Sequence, residues 1–110
     1  MFLSDLIDKD DKDALFRTLP VIDVSWNWPN PYEDGNDALD YDGGPTSGFV
    51  KHEGRTIFFH WWTGDRTREF VLVTVTEEIM RQLRDRWQTK IITDLGTILA
   101  TSPILGRCNW

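Results

Sequence analysis

Three apolar stretches separated by turn-sized gaps, at 48–52, 55–62 and 68–75, are the most restrictive feature of this 110-residue chain. Glu53-Gly54 suits a two-residue hairpin and 63–67 a second short turn, so the three stretches are expected to form an antiparallel meander. A two-residue hairpin at Glu53-Gly54 sets Val50 opposite Ile57 and Phe49 opposite Phe58. One face then gathers Val50, Ile57, Phe59 and Trp61, and the other Phe49, Phe58, His60 and Trp62. The third strand adds Val71, Val73 and Val75 on one side and Phe70 and Leu72 on the other. An antiparallel sheet with one wet face alternates apolar with polar residues, whereas these strands are apolar on both sides. Both faces therefore call for cover, whether from the chain's own helices and loops, from a second copy in a homodimer, or from a partner.

Around this meander the pattern places a fourth strand and two helices. Ile22, Val24, Trp26 and Trp28 alternate with Asp23, Ser25 and Asn27 until Pro29, which predicts a strand over 21–28. Asp10 or Asp11 can cap a helix over 10–19 that carries Ala14, Leu15, Phe16 and Leu19 and ends at Pro20. Thr76 caps a helix over 77–88, with Glu77 and Glu78 in its first turn and Ile79, Met80, Leu83 and Trp87 on one face. Beyond it, 90–93 reads as a short strand and 94–101 as a short helix broken by Pro103. The fold class is α+β: a four-stranded, mainly antiparallel sheet with two main helices, in one domain spanning 1–110.

Between Pro29 and Gly48 lie three prolines, five acids and four of the eight glycines, which predicts a long acidic loop over 29–47. Loops of that length commonly carry function, so this segment is the expected contact region. Net charge is −6, and residues 1–46 hold eleven acids against three bases. Such an acidic half disfavours direct binding to nucleic acid, whose affinity comes from Lys and Arg displacing counterions. It favours a basic protein partner. No apolar run approaches the roughly 20 residues of a membrane span, and the acid-dotted residues 1–13 lack the basic start and apolar run of a signal peptide. A lone cysteine, Cys108, suits a reducing compartment, so the expected location is the cytoplasm.

No motif for catalysis emerges. Aligning Gly43 with the sixth position of an EF-hand leaves Ala38 and Phe49 at two essential ligand positions, and Asp34, Asn36, Asp37, Asp40 and Asp42 otherwise read as self-solvating turn residues. His52 and His60 sit about 16 Å apart along the hairpin at ~3.3 Å per residue, too far to share a zinc ion. The glycines at 43 and 44 are flanked by acids that repel phosphate. No nucleophile signature accompanies Cys108. Neither metal nor cofactor is expected.

Two functional classes remain. In the first, the chain is a small acidic, non-enzymatic protein-binding module, an inhibitor of a basic nucleic-acid-handling protein in the manner of an immunity or phage anti-defence protein. Trp28, Tyr41, Phe58 and Trp62 are then the candidate anchors, and Asp34, Asp37, Asp40 and Asp42 steer encounter. In the second, tryptophans line a pocket near His60 for a small molecule or sugar, with Asp65 and Arg68 at its rim, in a ligand-binding domain or a weakly marked enzyme.

Overall fold

A computed structural model describes residues 1–23, 37–63, 69–88 and 95–109. Strands β1 (Asp37–Tyr41), β2 (Pro45–His52), β3 (Arg55–Thr63), β4 (Glu69–Thr74) and β5 (Ile104–Asn109) form one antiparallel sheet in sequential order. Helices α1 (Leu3–Ile7), α2 (Lys12–Arg17), α3 (Glu77–Gln88) and α4 (Leu95–Ile98) complete the α+β architecture.

The central hairpin follows from local chemistry. Glu53 and Gly54 both adopt positive φ, 52° and 76°, the backbone twist a two-residue turn requires. Val50 pairs with Ile57 and Phe49 with Phe58, as the turn dictates. Helix α3 spans the 77–88 expected for it, with Thr76 Oγ1 accepting the Ile79 N–H as its cap.

Three expectations need correction. Among the described residues the sheet has five strands where four were expected in all, and β1 and β5 were not foreseen. The 29–47 segment is not a loop throughout: β1 lies within it, Pro45 starts β2, and Gly43 and Gly44, at φ 68° and 156°, turn the chain between them. The helix expected over 10–19 is shorter, α2 capped by Asp11, and a further short helix, α1, precedes it. Of the strand expected over 21–28, Val21 forms an isolated parallel bridge with Arg107, and residues from Val24 through Trp28 lie outside the described residues. So do 90–93, whereas α4 falls within the helix expected over 94–101.

Both faces of the sheet are closed within the chain. On one, Phe49, Phe58, Val71 and Val73 pack with Leu3, Leu6, Phe16, Leu83 and Leu99 from the four helices or their ends. On the other, Val50, Ile57, Phe59, Phe70, Leu72 and Cys108 are buried, with Ile22, Trp61 and Leu105 packed against them. The intramolecular alternative for covering the aromatic strands is the one realised. Burial of these rings and branched side chains supplies most of the folding drive, about 1.5–3 kcal/mol for each large side chain.

Close backbone approach requires glycine at two places. A Cβ on Gly48 would lie 2.3 Å from the Asp37 carbonyl oxygen, so β1 can seat against β2 only there without a side chain. A Cβ on Gly106 would lie 2.6 Å from the Pro20 carbonyl oxygen, where the chain crosses β5 and Arg107 N–H donates to that same oxygen.

Candidate functional site

The helix-covered face of the sheet carries one polar constellation, centred on His60 in β3. Its partner across the β2–β3 ladder is Ser47, and Ser47 Oγ and His60 Nδ1 share a hydrogen bond of 2.8 Å. Phe58 stacks beside the imidazole at 5.9 Å and Trp87 of α3 meets it edge-on at 6.4 Å. Burial pushes the imidazole down from 6.5 to about 4; Asp40 opposes that fall and Lys12 adds to it. His60 is consequently neutral at pH 7, and the charges of β1 and α2 both reach it.

Trp62, two residues along β3, continues this constellation toward α2. Its ring stacks on Phe16 at 6.0 Å, and Lys12 Nζ lies 5.6 Å from the ring centroid. Trp62 Nε1 is buried with no hydrogen-bond partner among the described residues. Next to Lys12, an apolar-floored groove of about 500 Å³ is lined by Ala14, Leu15 and Thr18 and rimmed by Lys9, Asp10 and Asp11. The α2 residues that meet Trp62 are Lys12 and Phe16, and the groove with its acids is lined by other residues of the same helix and its approach. At the edge of the sheet, one strand beyond β2, runs β1, with Asp40 and Asp42 exposed and Tyr41 51% accessible.

A second feature joins β1 to α3. Arg84 Nη2 lies 2.8 Å from Asp37 Oδ2, and the guanidinium sits over the Phe49 ring at 5.4 Å. With Ala38, Leu39 and Trp87 this pair lines a cleft of about 240 Å³.

The residues expected at the two sites scatter accordingly. Asp37, Asp40, Tyr41 and Asp42 fall together on β1 and the turn after it, an ordered edge of the described sheet. Trp62 is partly buried, and Phe58 is a core ring with 0% exposure, sealed in the chain and not presented at the surface. His60 lies beside Trp87, a ring the helical periodicity had assigned only to packing. Trp28, Asp34, Asp65 and Arg68 lie outside the described residues. Arg84 was missed altogether: its place in a run of basic residues on the polar side of α3 gave no sign that one would reach β1. Lys12 was missed because, set among aspartates, it gave no sign that it would lie over the Trp62 ring.

Among the described residues no group of three or more His, Cys, Asp or Glu is arranged to hold a metal ion. No helix there is long and apolar enough to cross a membrane. Ser47 and His60 hydrogen-bond, but Ser47 is 3% exposed, so the pair offers substrate no accessible nucleophile. No family model, no curated protein and no solved structure matches the chain.

Proposed function

We propose that the protein is an acidic, non-catalytic binding module that docks on a basic protein partner through the surface formed by α2, Trp62 and β1. One observation carries this reading: acids from two separate stretches of the chain stand at the surface beside apolar or aromatic groups, on α2 at its groove and on β1 around Tyr41. Asp10 and Asp11 rim the groove beside Lys12, while Asp40 reaches His60 from β1. Complementary charge on such a surface raises the encounter rate, and a basic partner with an apolar anchor fits a groove floored by Ala14 and Leu15. Tyr41, half exposed between Asp40 and Asp42, is the anchor the partner would bury.

The partner class that fits this chemistry is a nucleic-acid-handling protein, whose basic groove an acidic surface mimics and blocks. The protein would then act as a toxin immunity or anti-defence inhibitor in a bacterial or phage setting, in the cytoplasm. Aromatic docking through the sheet face plays no part in this reading, because Phe58 and its neighbours are sealed inside.

The test is affinity capture with quantitative mass spectrometry, comparing the native chain with one in which Asp10, Asp11, Asp40 and Asp42 are all changed to Asn. A specific basic protein should be retained by the native chain and lost by the variant, and its retention should weaken with salt. A captured set indifferent to both the substitutions and the ionic strength would refute electrostatic docking.

A further inference from the structure

The cleft between β1 and α3 borders the docking surface through β1 and has its own chemistry. Its walls come from elements more than forty residues apart in sequence: Asp37, Ala38 and Leu39 on one side, Arg84 and Trp87 on the other. Trp87 is held from behind by Phe58 at 5.7 Å and by His60 at 6.4 Å, so this wall is pre-formed. A volume of about 240 Å³ holds about eight waters at roughly 30 Å³ each. That is below the roughly 300–1,000 Å³ typical of pockets for drug-sized ligands, and it limits the occupant to a small metabolite.

The charge pattern narrows the class. Asp37 and Arg84 stand 2.8 Å apart at the cleft with side chains 47% and 40% exposed, within reach of a ligand. Contact runs through Nη2, and Arg84 Nε is buried without a hydrogen-bond partner among the described residues, so the guanidinium fork is not saturated by Asp37. A simple carboxylate entering here pairs with Arg84 but faces Asp37. A simple amine pairs with Asp37 but faces Arg84. A molecule with an ammonium and a carboxylate on one carbon meets both, and leaves its side chain to lie against Leu39 and the indole of Trp87.

We propose that this cleft binds a small zwitterion, an α-amino acid with an apolar side chain, between Asp37, Arg84, Leu39 and Trp87. Binding opens the Asp37–Arg84 pair and replaces it with two ligand-mediated pairs, so occupancy is sensed by both β1 and α3. The site shares β1 with the docking surface, but none of Asp10, Asp11, Asp40 or Asp42 lines it, so the two are tested by different substitutions.

The experiment is a ¹H–¹⁵N correlation titration of the native protein with L-leucine and L-phenylalanine. N-acetyl-leucine and leucinamide serve as analogues with one charge removed. Concentrations rise to about 20 mM, above the roughly millimolar affinity a ligand of this size can attain. Saturable shifts should appear at the amides of residues 37–39 and at the Trp87 indole. Each blocked analogue, and each of the variants Asp37→Asn and Arg84→Met, should bind about tenfold more weakly or worse. The comparison of analogues uses the native chain alone, so it decides the matter even if a variant misfolds. Absence of saturable shifts, equal binding of the blocked analogues, or shifts centred elsewhere would each show the cleft to be only the space beside a structural ion pair.

Discussion

Acidification should remove stability from this protein through a single side chain, and the effect can be isolated by comparing the native chain with His60→Gln between pH 7 and pH 4.5. In the folded protein Ser47 takes Nδ1, the rings of Phe58 and Trp87 flank the imidazole, and burial holds its pKa near 4; Lys12 adds to the depression and Asp40 partly offsets it. In the unfolded chain the same group titrates near its ordinary 6.5. Between those values the unfolded state carries a proton that the folded state does not, so stability rises with pH. The contribution is complete above about pH 6.5 and drains away as pH falls toward 4. At 1.36 kcal/mol per pH unit the whole window is worth about 3 kcal/mol, of which about 2 kcal/mol is lost by pH 4.5. In urea, with slopes of about 1–3 kcal/mol/M, this lowers the unfolding midpoint by roughly 1 M more in the native chain than in the variant. The difference in unfolding free energy between the two proteins should shrink in the native chain's disfavour as pH falls. A pH-independent difference, or an NMR titration of His60 centred near 6.5, would refute the account of a buried neutral imidazole.

Further expectations rest on other parts of the fold. Gly48→Ala should destabilise the protein by about 1–3 kcal/mol and increase hydrogen exchange in β1, because the added methyl group meets the Asp37 carbonyl oxygen and the Ala38 Cα; unchanged exchange would remove glycine as the reason β1 seats there. Leu83→Ala deletes a fully buried side chain of α3 and should cost about 2–5 kcal/mol by chemical denaturation. Cys108, at 0% exposure with its thiol pushed up to about 12 by burial, should resist Ellman's reagent at pH 8 in the native state and react only on unfolding.

Much of the sheet was legible because its signals are local. Glu53-Gly54 permits one kind of turn, that turn permits one register, and the register assigns every side chain of β2 and β3 to a face. Helix α3 was equally plain, with Thr76 at its cap and four apolar residues at helical spacing. β1 was not, because Asp37–Tyr41 carries two acids in five residues, and its pairing is set by Gly48, a residue on the neighbouring strand. The Asp42-Gly43 step was nonetheless a turn signal of the same kind as Glu53-Gly54, and it marks the β1–β2 turn. β5 escaped notice for a related reason: Gly106 weakens its propensity, yet it is what lets the 20–22 segment cross at contact distance. Composition singled out the acidic stretch that contains β1 as an expected contact region, but Lys12, Arg84 and Trp87, which complete the surroundings of its residues, come together only through tertiary packing.

That both faces are sealed changes what the aromatic residues can be for. An aromatic ring that is fully buried contributes to folding and has no area left for a partner, and Phe58 is in that position. On the proposed reading, recognition falls to groups the core cannot absorb: carboxylates, which are too costly to bury unpaired, and rings at the margin of the core whose edges stay accessible. In this fold the two kinds meet at two places. At the α2–Trp62–β1 surface the acids outnumber the bases, which suits a large cationic partner. At the β1–α3 cleft one acid and one base balance across an apolar wall, which suits a small neutral molecule with separated charges. Because β1 contributes to both, and because Gly48 governs how β1 seats, Gly48→Ala should weaken capture of the basic partner and amino-acid binding together. Changing Asp40 and Asp42 to Asn should affect only the first, and retention of partner capture alongside a displaced β1 would show that the strand plays no part in docking.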